Sequence, residues 1–157
     1  MDDPFSHATL GSGVFYKNPL AALGWLSQAF GFERSMLVTD ADGKLVHAEM
    51  RFGDGYIVVD SEWASYIASP ASVGGKNTQS LYVRLTSGIE GHFERAKSAG
   101  AVILQPLADQ FYGERTYKAV DPEGHVWTFS QTVGHVSQDE AEKLSGMKID
   151  GWHYPSQ

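Results

Sequence analysis

A chain of 157 residues with 42% hydrophobic and 12% aromatic content can build one ordinary domain core, but is too short for two independent ones. Zero cysteines exclude disulfides, thiolate nucleophiles and Cys-bound zinc or iron–sulfur centres. A net charge of -7, with Lys and Arg scattered singly, argues against nucleic acid and anionic membrane surfaces, which both select basic patches. No apolar run approaches the ~20 residues of a membrane span, and the acidic start Met1-Asp2-Asp3-Pro4 lacks a basic-then-apolar secretion signal. A cytoplasmic protein is expected.

In chain order, an extended stretch from Thr9 to Tyr16 comes first, then Asn18-Pro19, a helix start with proline in the first turn. Leu20, Leu23, Leu26 and Ala29-Phe30 recur at helical spacing until Gly31 stops the run. Strands are predicted over Arg34–Thr39, Leu45–Phe52 and Tyr56–Ser61, with turns at Asp40–Gly43 and Gly53–Gly55. Ser69–Gln79, with Pro70, Gly74, Gly75 and Asn77, reads as a linker.

The order then repeats: a strand Ser80–Leu85, a helix from Ile89 to Ala99 closed by Gly100, and strands Val102–Gln105, Gly113–Val120 and His125–Gln131. The chain is thus one domain of two βαβββ modules, 9–62 and 80–131, with a separate tail over 134–157. In that tail Ser137-Gln138-Asp139-Glu140 is a capping box before a helix reaching Leu144 or Ser145 and ended by Gly146. Trp152 and Tyr154 beyond it should lie against another surface.

Several pieces of this pattern stand in a telling order. They are Ala21–Glu33, His47–Gly55, Phe93-Glu94-Arg95-Ala96 through Gly100-Ala101, Tyr112-Gly113-Glu114-Arg115, and Asp121-Pro122-Glu123-Gly124-His125-Val126-Trp127. Together they resemble the vicinal oxygen chelate superfamily (glyoxalases, bleomycin-resistance proteins, extradiol dioxygenases), over residues 9–131 and closest to its PhnB-like branch. The resemblance implies an α+β fold in which two βαβββ modules form facing curved mixed sheets around a cavity.

Alternation along strands assigns faces. Counting Gly53–Gly55 as the turn puts Glu49 opposite Val59, so Ala48, Met50, Phe52, Tyr56 and Val58 would face the helix. Counting Asp121–Gly124 as the second turn places Val126, Thr128 and Ser130 with Ala119, Tyr117 and Arg115. The expected pocket is then His47, Glu49, Arg51, Tyr82, Arg84, Arg115, Tyr117, Thr128 and Ser130. Three arginines against one carboxylate would make it locally cationic and suited to an anionic or strongly hydrogen-bonding ligand. A pairing of Arg51 with Glu49 is the bland alternative.

The resemblance also raises a metal question. Metal-dependent relatives place ligands on the first and last strands of each module, and by position these fall at Gly11, Val59, Ser80 and Thr128. Glycine and valine offer no donor and lone hydroxyls bind divalent ions poorly, so no metal and no other cofactor is expected. The alternative is a divalent metal held by His47 and Glu49, two apart on one strand, with His7 nearby. For His92, His125, His135 and His153 as for these, hydrogen-bonded or surface histidines are the simpler expectation.

Two functional readings follow. The first is a metal-independent small-molecule-binding protein of the glyoxalase/bleomycin-resistance type, its ligand anionic or aromatic, oriented by Arg84 and Arg115. The second is a metal-dependent or acid/base enzyme (lyase, isomerase or dioxygenase) using His47 and Glu49, the latter with a pKa raised by burial. A homodimer, its surface covered by the aromatic tail, is a third expectation.

Overall fold

The computed structural model describes residue 3 and residues 6–152, so His153 and Tyr154 lie outside the described residues. The first module contains β1 (Gly11–Tyr16), α1 (Pro19–Phe30), β2 (Glu33–Thr39), β3 (Leu45–Phe52) and β4 (Gly55–Ser61). The second contains β5 (Leu81–Leu85), α2 (Ile89–Ser98), β6 (Val102–Asp109), β7 (Glu114–Val120) and β8 (Val126–Thr132), and α3 (Gln138–Ser145) follows. Local chemistry sets the helix ends as the sequence predicts. The Asn18 side chain accepts from the Ala21 amide, Pro19 occupies the first turn, and Gly31 closes α1 at φ 77°, a left-handed conformation that costs glycine little. Ser137 likewise caps α3 and Gly146 ends it.

Each module folds into a four-stranded mixed sheet of the same order, β1-β4-β3-β2 and β5-β8-β7-β6, with the first and last strands parallel. α1 lies on the first sheet and α2 on the second, and the two helices pack on each other. Phe30, at the end of α1, touches Trp127 and Phe129 of β8, with ring centroids 5.4 and 4.7 Å apart. Truncating so well enclosed a ring costs about 3–5 kcal/mol. Polar bonds fasten the same seam. The Trp25 indole donates to the Ala99 carbonyl, and Arg95 donates to the carbonyls of Ser27 and Gln28 in the last turn of α1, the first of which also accepts from the Gly31 amide.

The register corrects two predicted faces. Glu49 lies opposite Val58, not Val59, because the turn is the two residues Gly53-Asp54, with positive φ at Gly53 alone as in a type II′ turn. Ile57 and Val59 therefore enter the core, while Tyr56 and Val58 share the other face with His47, Glu49 and Arg51. In the second module His125 also belongs to the turn, since the Asp121 amide donates to its carbonyl, and Tyr117 pairs with Phe129. One residue more than counted turns β7 over, so Tyr117 and Ala119 face the core and Thr116 and Lys118 the opposite side. β6 also runs past Gln105 to Asp109: it is an edge strand with register shifts on either side of Gln105, and the second of them, between Gln105 and Ala108, absorbs the missing donor of Pro106.

Candidate functional site

β1 and β5, the equivalent first strands of the two modules, flank a cavity of about 580 Å³. Gly11, Phe52, Tyr56, Tyr82, Arg84 and Trp127 are among the residues lining it. Gly11 is a glycine for a visible reason: a Cβ there would land on the ring atoms of Tyr56. That close approach lays the Tyr56 ring over β1, where it meets the imidazole of His7 with centroids 4.4 Å apart. Tyr82 projects from β5 with 74% of its surface exposed, free to contact a ligand.

Beside Tyr56, the carboxylate of Glu49 is buried between two imidazoles. His7 Nε2 lies 3.0 Å from one oxygen and His47 Nε2 3.0 Å from the other. The hydrogen bond with His47 is the main reason Glu49 titrates below the ordinary glutamate value, with the His7 charge adding to it against the opposing effect of burial. Glu49 is thus held ionised, the opposite of the raised pKa that an acid/base role for the pair would need. Nor does Glu49 pair with Arg51, whose guanidinium instead reaches the Ser6 carbonyl at 3.5 Å.

The other expected pocket residues separate. Tyr82 and Arg84 line the cavity. Arg115 and Tyr117 do not join them: Arg115, held by Asp109 and Glu90, and Tyr117, donating towards His92 Nδ1 at 2.6 Å, sit on the helix-bearing side. The inverted β7 register is the cause. Thr128 and Ser130 follow Tyr82 and Arg84 across the β5–β8 pair. Thr128 is buried there, and its hydroxyl has no hydrogen-bond partner among the described residues. The predicted cationic pocket is corrected as well, because Arg84, the one arginine of the three at the cavity, is neutralised by Glu114 at 2.7 Å and also donates to Thr132.

The closing turn turns out to be a clamp between modules. Asp121 is only 4% exposed. Its carboxylate accepts from Tyr16 Oη at 2.7 Å, Trp127 Nε1 at 3.1 Å, and the amides of Glu123 and His125 at 3.0 Å each. Glu123 then accepts from the amides of Lys17 and Asn18, and His125 Nε2 donates to the Phe15 carbonyl. The motif is visible in the sequence but its clamping role is not, because the partners of Asp121 and Glu123 lie 105 and 106 residues earlier; an Asp sharing one hairpin with Trp127 is the usable signal.

A metal fits poorly at the positions used by metal-dependent relatives. Gly11 has no side chain, Val59 points into the core, and Val58, which takes its place on the opposite face, is equally without a donor. Ser80 and Thr128 would be left to bind with hydroxyls alone. Among the described residues, no group of three or more His, Asp or Glu is placed to hold a metal ion.

Comparison with known proteins gives the family and the fold. A family profile, the Glyoxalase/Bleomycin resistance protein/Dioxygenase superfamily, matches residues 5–129. The crystal structure of TioX from Micromonospora sp. ML1 is 33% identical, covers 80% of this chain and 100% of its own, and superposes with a TM-score of 0.63. An uncharacterized protein of Mycobacterium tuberculosis H37Rv is 29% identical over 135 residues, 83% of this chain and 78% of its own. A family enzyme from Burkholderia phytofirmans PsJN, 16% identical over 80% of this chain and 100% of its own, shares the fold at a TM-score of 0.60.

Proposed function

The chain belongs to the glyoxalase/bleomycin resistance protein/dioxygenase superfamily, and on that premise we propose a metal-independent small-molecule-binding protein whose ligand sits between the two modules. The observation that carries this reading is the cavity itself, lined by Phe52, Tyr56 and Tyr82 together with an arginine already balanced by Glu114. Such a lining favours a flat aromatic ligand held by stacking and a few hydrogen bonds over a strongly anionic one. Membership of the PhnB-like branch, a cytoplasmic location and a homodimer belong to the same reading and rest on the sequence pattern. Among the described residues no helix is long and apolar enough to cross a membrane.

The test is a thermal-stability screen of the purified protein against aromatic and anionic compounds, with elemental analysis of the same sample. A ligand at about 100 times its Kd adds about 2.7 kcal/mol of stability, and Tyr56→Ala or Tyr82→Ala should remove that gain. A stoichiometric divalent metal that disappears in His47→Ala or Glu49→Gln would sink the proposal and favour the enzyme reading.

A further inference from the structure

The described part of the tail that follows the family-matched region, up to Trp152, is held by specific bonds. α3 buries Ala141 completely, Gln138 donates to the Ile149 carbonyl, and the Ile149 amide returns a bond to Glu142. The indole of Trp152 donates to the Val136 carbonyl at 2.9 Å. These bonds bend residues 147–152 back towards the β6–β7 turn, whose Gly113 carbonyl accepts from the amides of Val133 and Gly134. Fixing each backbone residue costs roughly 1–2 kcal/mol in entropy, which these bonds offset over the described segment.

Between tail and turn lies a second cleft of about 700 Å³, lined by Arg84, Phe111, Tyr112, Glu114, Ile149 and Trp152. Its volume falls within the range of small-molecule pockets. Phe111 and Tyr112 stand edge to face, with centroids 5.1 Å apart and ring planes at 90°, and so offer an aromatic corner. The polar groups at its base cancel each other, since Arg84 Nη1 and Glu114 Oε1 are 2.7 Å apart. Arg84 lines the inter-module cavity as well, so the two openings meet at one side chain.

We infer that the tail builds a second binding site, between Trp152 and the Phe111–Tyr112 corner, for a planar aromatic molecule without net charge. An anion would have to compete with Glu114 for Arg84, and a cation would face the guanidinium across the cleft. Stacking on rings and on the paired guanidinium plane needs no charge. This site is distinct from the one proposed above and stands or falls separately.

The chain carries four tryptophans, and their indole N–H signals in a nitrogen-15 correlation spectrum supply local reporters: Trp152 for the tail cleft and Trp127 for the inter-module cavity. Titration of the full chain would use 2-naphthol, 2-naphthoate and N,N,N-trimethyl-2-naphthylammonium. Saturable movement of the Trp152 signal with 2-naphthol is expected, weakened at least tenfold in Tyr112→Ala and changed less than twofold in Tyr56→Ala. Unmoved α3 amide signals would show that Tyr112→Ala keeps the tail docked. Movement of Trp127 alone would overturn the tail site and leave the inter-module reading intact. A Trp152 shift that never saturates, survives Tyr112→Ala unchanged, or is tenfold tighter for the carboxylate or the ammonium would also overturn it.

Discussion

Replacing Asp121 by alanine would take the acceptor away from four donors at once. Two of them, the Tyr16 hydroxyl and the Trp127 indole, belong to side chains 1% and 0% exposed, beyond the reach of replacement water. A buried donor left unpaired costs about 1–3 kcal/mol. The Glu123 and His125 amides are only part-buried and can recover some bonding from solvent. The sum is about 3–5 kcal/mol for Asp121→Ala, a large share of a typical domain's stability of about 5–15 kcal/mol. For a domain of this size the melting temperature should fall by about 6–20 °C. Urea unfolding of wild type, Asp121→Ala, Tyr16→Phe and the double variant supplies the decisive cycle. Tyr16→Phe should cost about 1 kcal/mol in the wild type. In the alanine background it should cost nothing or gain, because it deletes a stranded hydroxyl. Costs that add to within about 0.3 kcal/mol would refute the clamp.

Three further outcomes are expected. His92 donates from Nε2 to the Phe30 carbonyl and accepts from Tyr117 at Nδ1, and burial pushes its pKa below the ordinary value. Below pH of about 6.5 the unfolded imidazole gains a proton that the folded one refuses, so stability present above that pH should fall by up to about 1.4 kcal/mol per pH unit. A His92→Gln variant with the same slope would contradict this. Glu49, with its pKa depressed in the folded state, stabilises above pH of about 4.5 and loses that contribution as pH falls through its folded value; Glu49→Gln should speed amide exchange at His7–Leu10 roughly tenfold at neutral pH, and unchanged exchange would count against the contact. Gly113 has φ 92°, and a Cβ there would meet the Gly134 carbonyl oxygen at 2.5 Å, whereas Gly43 at φ 78° has open space. Gly113→Ala should therefore cost about 1–3 kcal/mol and more than Gly43→Ala by denaturant unfolding; equal costs would refute the steric argument.

Much of the architecture was legible because local chemistry and global fold agree. Asn18-Pro19 and Gly31 bracket α1, Ser137 and Gly146 bracket α3, and the βαβββ order appears twice as read. Faces were less legible, since parity depends on the number of residues in a turn. One residue too many at Gly53–Gly55 and one too few at Asp121–His125 sent Tyr56 to the core and Tyr117 to the pocket, each the reverse of its place. The placing of Tyr82 and Arg84 opposite Leu81, Val83 and Leu85 needs only the alternation within β5, where no hairpin count intervenes. The partnership of His7 with Glu49 spans 42 residues, from a segment without periodicity, and the Arg84–Glu114 bond spans 30. Charge neutralisation at that range leaves no trace in composition.

The clamp around Asp121 also imposes an order on the chain's manufacture. Tyr16 finds its acceptor 105 residues further along, and the amide of Lys17 waits 106 residues for Glu123. At a synthesis rate of roughly 5–20 residues per second, that delay is roughly 5–20 s. Through that interval the nascent first module can collapse on Leu26 and Met50, yet the joint between β1 and α1 stays unfastened. Ribosome-bound quality control would meet the protein in this half-buckled form, and one of the last hairpins translated is what closes the first strand.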